Sequence, residues 1–438
     1  MANPPKTKAF SGSMLLAAIA AFCTYTCMFA YRKPFTAAGF DDIALLGVNY
    51  KVWLVIAQTI GYTLSKFYGI RFIAELTHQR RARLIIGCIV MAWLALLFFA
   101  VIPPPYNILF FVINGFPLGM VYGLVFSYLE GRRVTEFLGA VLATSFIFAA
   151  GFTQSIGKYL MEEFRLNPWW MPFITGAVFI LPTIICVALL DKTPPPTQED
   201  ILLRTERKPM NKAERQAFIR RFLPGLVFLI TAYVLLTILR DYRSNFAANI
   251  WAELGQGKEA SIFTKTELPA SLVILVLMST LVLIRNNMKA LLINHLIVLV
   301  GFVLSLGATL LYSYGVLSPF AWMASLGVGL YMGYVPFNSI LFDRLIASFQ
   351  HVSNAGFLIY LADSFGYIGS DAILIAKSFF NVQHSWTSFF IHLVIILSVL
   401  GMILMISSIV YFKQKQGRLA REEGSGRVIE TKLGLAEK

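Results

Sequence analysis

Several ionisable side chains stand inside long apolar runs of this chain: Arg32, Lys33, Lys66, Arg240, Asp241, Arg243, Asp343, Arg344, Asp363 and Asp371. A charge placed in hydrocarbon costs several kcal/mol, about 2.5–3.5 on insertion scales, so each of these needs a partner, water or a task. Arg32, Lys66 and Arg240 are the set that could act together. Two guanidinium forks match phosphate oxygens bidentately, and an ammonium adds a compact point charge. Such a trio can capture a small anion. The competing reading is that each cation snorkels to an interface or pairs with a structural carboxylate. Lys66, in Gly61-Tyr62-Thr63-Leu64-Ser65-Lys66-Phe67, resists that reading because it stands a long reach from cytoplasmic water, whereas Lys33 beside Pro34 fits it. Asp363, within Leu361-Ala362-Asp363-Ser364-Phe365-Gly366, has three candidate roles. It pairs with a cavity cation until substrate displaces it, binds a proton for symport, or fixes helix packing as a salt-bridge partner. Tyr25 and Tyr233, with Asn114, Gln154, Tyr331 and Asn338, offer hydrogen bonds to a substrate or to a neighbouring helix.

Positioning these charges takes helices of roughly 20 apolar residues. The chain has 438 residues, 57% hydrophobic and 14% charged, against about 25% charged in a soluble domain. An ordinary soluble enzyme is excluded. Hydropathy places spans at 12–39, 51–75, 83–103, 106–129, 137–160, 168–190, 222–244, 268–284, 289–313, 318–342, 353–377 and 387–412. The expected fold is therefore an all-α polytopic membrane protein with twelve transmembrane helices. The first run follows Lys6 and Lys8 as a signal peptide would. It is too long, however, and ends in Tyr31-Arg32-Lys33-Pro34 in place of a small-residue cleavage site, so it is expected to stay as a helix.

The net charge of +14 does not point to nucleic acid, because the Lys and Arg residues fall in short breaks whose density alternates. The N-terminal segment, the 76–83 break, Arg132-Arg133, the 191–221 segment, Arg285 with Lys289, Arg344 and the 413–438 tail are the basic ones. The positive-inside rule makes these cytoplasmic, and both termini with them. The 191–221 segment, with Pro194-Pro195-Pro196, reads as a linker between six-helix halves at 1–190 and 222–412, followed by an irregular 413–438 tail. A weak internal repeat agrees. Tyr25 and Arg32 recur as Tyr233 and Arg240, and Ser155-Ile156-Gly157 is answered by Tyr367-Ile368-Gly369. Two pseudo-symmetric six-helix halves with a site between them at mid-membrane are the plan of the major facilitator fold.

Tyr31-Arg32-Lys33-Pro34-Phe35, Ser65-Lys66-Phe67 and Leu239-Arg240 resemble the organophosphate:phosphate antiporters of the major facilitator superfamily. That family includes glycerol-3-phosphate and hexose-phosphate transporters. The resemblance implies that Arg32, Lys66 and Arg240 line the pore and bind the substrate phosphate. The chain departs from the pattern in lacking a histidine in the fifth span and in a loose acidic loop motif after the second, Gly69, Glu75 and Arg80-Arg81.

Other features carry less chemistry. Gly115, Gly119 and Gly123 repeat every four residues and read as a packing face for another backbone. Asp343-Arg344 and Glu130-Gly131-Arg132-Arg133 read as interfacial charges that latch a cytoplasmic gate. Cys23, Cys27, Cys88 and Cys186 lie in apolar stretches and read as small buried hydrophobes. There is no GxxxxGK[ST] run, no metal-ligand spacing among His78, His295, His351, His384 and His392, and no Ser/His/Asp constellation, so no enzyme, metal or cofactor is expected. The expected protein is a monomeric secondary transporter in the plasma membrane, the inner membrane of a bacterium. It contacts lipid and moves a small anionic, phosphorylated solute by exchange. The alternatives are a proton-coupled symporter of another organic anion that uses Asp363, and a non-transporting membrane sensor on a transporter scaffold.

Overall fold

The structure is a computed structural model that describes residues 12–74, 78–130, 132, 135–195, 212–349, 355–379 and 385–434. Lys6, Lys8, Glu75, Arg133, residues 196–211 of the expected linker and 353–354 of the expected eleventh span lie outside the described residues. The helices are α1 (Gly12–Phe29), α2 (Tyr50–Ala74), α3 (His78–Val101), α4 (Leu109–Leu129), α5 (Thr135–Glu163), α6 (Met171–Asp191) and α7 (Lys212–Asn245). They continue as α8 (Ala247–Glu253), α9 (Ile262–Val282), α10 (Asn287–Ser313), α11 (Pro319–Ser339), α12 (Leu341–Ser348), α13 (Ala355–Phe379) and α14 (Trp386–Gly434). Among the described residues, leaving aside the short α8 and α12, twelve long helices match the expected spans. Among the described residues ten are long and apolar enough by themselves to cross a membrane, and Met14–Phe29 of α1 is a shorter apolar run.

Several boundaries differ from the hydropathy reading, α3 starting at His78 and α9 at Ile262, five and six residues early. The first span stops at Phe29, because Pro34 cannot continue a helix. The backbone turns there, with Arg32 and Lys33 N–H groups both bonded to Phe29 O at 3.0 and 2.9 Å, and Pro34–Ala37 forms a 3-10 turn. The seventh begins at Lys212, inside the expected linker, and the last runs on to Gly434 through the tail expected to be irregular. Between α11 and α12 the helix breaks at Ile340. The one sheet among the described residues is a two-residue antiparallel ribbon, Ala44–Leu45 with Val48–Asn49. It is closed by Leu46 and Gly47 at φ +55° and +75°, the twist that a two-residue hairpin demands.

The same helix pairings recur in both halves. In the first, α1 packs on α5 and α6, α3 on α4 and α6, and α2 on α4. In the second, α7 packs on α13 and α14, α10 on α11 and α14, and α9 on α11. Contacts between halves run from α2 to α13 and from α5 to α9 and α11. Large apolar side chains are exposed along α3 (Val90, Leu94, Phe98), α6 (Leu181, Ile184), α9 (Leu272, Val276) and α14 (Ile396, Ile403). In water this would be an inverted surface; in a bilayer it is the lipid face.

Glycines bring α2 and α4 into backbone contact. A Cβ on Gly115 would lie 2.2 Å from Gln58 O, and one on Gly61 would lie 2.1 Å from Val112 O. Small residues allow this approach, and a branched side chain would force the helices apart. Gly115→Leu is expected to cost several degrees of melting temperature in detergent, whereas Gly307→Ala, with nothing within 4 Å of the added carbon, is expected to leave it unchanged.

Candidate functional site

The broken end of α1 leaves carbonyls without helical partners, and two amide side chains take them up. Asn114 Nδ2 on α4 donates to Tyr31 O at 3.0 Å and Ala92 O at 3.0 Å, while Gln58 Nε2 on α2 donates to Arg32 O at 3.1 Å and to Asn114 Oδ1 at 2.8 Å. Asn114 is fully buried. This is a positioning network: it fixes the turn that carries Arg32 against α2 and α4.

Arg32 then projects into a central cavity of about 540 Å³ between the halves, and Lys66, Arg240, Asp363 and Tyr25 line the same space. The structure thus brings together five of the six residues singled out in the sequence. Tyr233 is not among the lining residues; it is buried one layer behind. Its hydroxyl donates to Asp363 Oδ1, lies 2.9 Å from the Tyr334 hydroxyl and accepts from Asn338 Nδ2 at 3.1 Å.

The cations differ in how far they are satisfied. Lys66 pairs with Asp363 across the halves, α2 to α13, and lies 5.3 and 5.0 Å from the Tyr62 and Tyr367 ring centres. Arg240 gives Nε and Nη2 to Asp241 Oδ1 at 2.9 and 2.6 Å and stacks 3.9 Å above Tyr334. Arg32 stands 4.1 Å over Tyr62. No carboxylate bonds it among the described residues, and its buried Nε has no hydrogen-bond partner. Ring faces hold such cations by roughly 0.5–2 kcal/mol each, far less than an acid would. The central part of the cavity therefore sets Arg32, Lys33, Lys66 and Arg240 against Asp241 and Asp363.

On one side the cavity runs to Arg81, Glu130, Thr135 and Asp343. Beside them, Arg132 Nη2 donates to Pro194 O at 2.6 Å in the first half and Arg344 Nη1 to Asn287 Oδ1 at 2.8 Å in the second. On the other side a polar seam joins the halves. Lys33 Nζ reaches Ser244 Oγ at 3.0 Å and Asn245 Oδ1 at 2.5 Å. Lys51 Nζ reaches Thr36 O at 2.7 Å and Asn249 Oδ1 at 2.8 Å, and Asn249 Nδ2 reaches Asp41 at 3.0 Å. Gln154 donates to Thr36 Oγ1 and Ser244 O, and Thr264 pairs with Ser155. The 244–267 segment, read from sequence only as an external connection, supplies half of this seam: Ser244 and Asn245 at the end of α7, Asn249 on α8 and Thr264 at the start of α9.

The remaining in-membrane charges fall outside the cavity centre. Arg243 is buried with Glu267 and donates to Met323 O at 2.9 Å. Asp371 does not line the cavity. Sequence reading missed Tyr62, Tyr122, Tyr334, Tyr360 and Tyr367, all in the lining. A usable signal existed for two of them, since Tyr62 precedes Lys66 and Tyr367 follows Asp363 by one helical turn.

A membrane protein of twelve long helices in two pseudo-symmetric halves around a central cavity has the major facilitator fold. Within that class the chain belongs to a family of unknown function, DUF5690, whose model matches residues 34–415. No curated protein matches it in sequence. Among solved structures it is similar to a bacterial homologue of the human lysosomal transporter Spinster, in an inward-facing and unoccupied conformation, at TM-score 0.56 and 13% identity over 92% of this chain and 95% of that one. It is also similar to a peptide transporter, POT, solved as a mutant in complex with sulfate, at TM-score 0.61 and 13% identity over 92% of this chain and 95% of that one.

Proposed function

We propose that this protein is a secondary transporter that moves a small phosphorylated anion across the membrane by exchange. The observation that carries the reading is Arg32: a half-buried guanidinium in the central cavity, hydrogen-bonded to no carboxylate among the described residues and facing the same space as Arg240 and Lys66. A partly desolvated guanidinium with an unpartnered Nε is costly, and an anion from solution satisfies it. Arg32 belongs to one half and Arg240 to the other, so a bound anion contacts both.

Alternating access follows from that placement. The cavity opens toward the face we assign to the cytoplasm, and the seam of Lys33, Lys51 and Asn249 closes the opposite face. A ligand shifts such an equilibrium only by its differential affinity for the two states, and an anion bridging two arginines supplies that difference. Without it, the cations of both halves repel as the cavity closes around them. The empty carrier then stays put, and transport becomes exchange.

The test is uptake of labelled inorganic phosphate into proteoliposomes loaded with unlabelled phosphate, with no pH gradient. Wild type is expected to exchange, and Arg240→Ala to lower the rate at least tenfold, since it removes a cation and leaves Asp241 to repel the anion. Absence of exchange in well-folded wild type, or uptake that demands a pH gradient, overturns the reading. The second outcome moves the proton-coupled symporter to the front.

A further inference from the structure

We infer that the organic part of the transported anion is a planar aromatic ring, so that the substrate class is an aryl or arylalkyl phosphate; this deepens the function proposed above and rests on it. The cavity, at about 540 Å³, falls within the roughly 300–1,000 Å³ of sites that hold whole organic ligands, so the phosphate fills only part of it. Much of the rest of the wall is built of rings, with Arg81, Glu130 and Asp343 at the mouth.

One ring patch lies on α1 and α4. Tyr25 and Tyr122 meet edge to face at 5.4 Å, and Tyr122 and Phe126, one turn apart, are nearly parallel at 6.3 Å and 6°. A second patch forms where α5 meets α11: Phe146 lies 5.9 Å from Tyr334 and 6.2 Å from Tyr331. Both line the cavity. Phe126 stands one turn from Glu130 at the mouth, and Tyr25 two turns from Arg32. The first patch therefore occupies the space between the anion-binding cations and the entrance, where the rest of a phosphate ester would extend, while the second flanks Arg240 itself.

A polyhydroxylated body fits this wall poorly. Each sugar or glycerol hydroxyl needs a donor and an acceptor, and most small polar side chains of the lining, Ser244 excepted, spend their hydrogens on their own surroundings. Ser65 donates to Tyr62 O at 2.9 Å, Ser127 to Leu124 O at 2.7 Å, Ser339 to Val335 O at 2.8 Å and Thr135 to Arg132 O at 2.6 Å. Asn338 Nδ2 is held by the Tyr233 hydroxyl at 3.1 Å. Away from the mouth, what remains is largely ring faces, one face of Tyr334 being covered by Arg240, with tyrosine hydroxyls at their rims for one or two polar substituents. Aromatic pairs gain stability beyond their buried area when stacked or edge to face, and aromatic walls give an aryl body that contact where a polyol would lose its water without replacement.

The experiment is competition in the phosphate exchange assay, phenyl phosphate against glycerol 3-phosphate, two monoesters with the same ionisable group. Phenyl phosphate is expected to inhibit at about tenfold lower concentration. In Phe126→Ala and Tyr122→Leu, the ratio of the two inhibitory concentrations is expected to fall to within threefold. Phe126→Leu, which keeps the volume and loses the ring, gives the same readout if the alanine variant does not fold. Equal or stronger inhibition by glycerol 3-phosphate in wild type overturns the inference, and so does a preference that survives these substitutions. A wild type that exchanges no phosphate before any competitor is added instead overturns the functional reading beneath it.

Discussion

Arg32→Ala is expected to lower phosphate exchange between thirtyfold and several thousandfold while leaving the melting temperature in detergent unchanged or raised. Truncating one partner of a buried, hydrogen-bonded charge pair costs about 2–5 kcal/mol of binding, which spans that range at 1.4 kcal/mol per decade. Stability moves the other way because Arg32 has no carboxylate to lose: its contacts are the Tyr62 and Phe29 rings, and its Nε is already unpartnered. Removing it relieves a half-buried charge that no acid bonds among the described residues. Arg243 is the control. It pairs with buried Glu267 and a backbone carbonyl, so Arg243→Ala leaves a buried carboxylate stranded and is expected to cost about 3–5 kcal/mol of stability. Exchange measured beside thermal denaturation separates the two arginines, which hydropathy alone cannot. If Arg32→Ala melts earlier and still exchanges at the wild-type rate, Arg32 is a packing residue.

The physical reason these charges were visible in the sequence also explains what was not. Arg32, Lys66, Arg240 and Asp363 stand out because an ionised group in an apolar run is expensive, and the expense points to water or a partner whatever the fold. Tyr122 and Tyr334 carry no such expense. Tyrosine sits in a core, at an interface or on a pore wall with equal ease, so the aromatic lining had to wait for the helix orientations. The seam was hidden for another reason. Lys33 is held by neutral Ser244 and Asn245, more than two hundred positions away, and a lysine beside a proline at the end of a span looks like one that snorkels. Helix ends divided in the same way. Pro34 stops α1, but its effect is lost in a hydropathy window that averages across it. The charged starts and ends of α7 and α14, such as Lys212-Ala213-Glu214-Arg215-Gln216-Ala217, are poor in hydropathy and rich in strong helix formers, so their helices extend past the apolar stretches. The number of long helices and their division into halves depend only on long apolar runs, and those the chain displays openly.

The Lys66 and Asp363 pair can be separated into structure and function by removing one charge and then both. Lys66→Met leaves Asp363, whose side chain is only 7% exposed, without its cation. It is expected to destabilise the protein by about 3–5 kcal/mol, the cost of stranding a buried charge. Adding Asp363→Asn to that variant removes the stranded charge and keeps a group that still accepts from Tyr233, so stability is expected to return to within about 1 kcal/mol of wild type. Exchange is not expected to return with it. If Lys66 is the third anion ligand, the double variant is a well-folded protein that has lost a phosphate contact, and its rate stays at least tenfold down. Asp363→Asn alone is expected to bind phosphate more tightly, because the anion no longer competes with a carboxylate for the ammonium, and to exchange without a pH gradient. A double variant that regains both stability and exchange would make the pair a structural tie between α2 and α13. A single Asp363→Asn variant that keeps exchange but loses a gradient-driven component present in wild type would make Asp363 the proton carrier. The three roles left open for Asp363 by its sequence thus lead to three different pairs of melting curve and uptake trace.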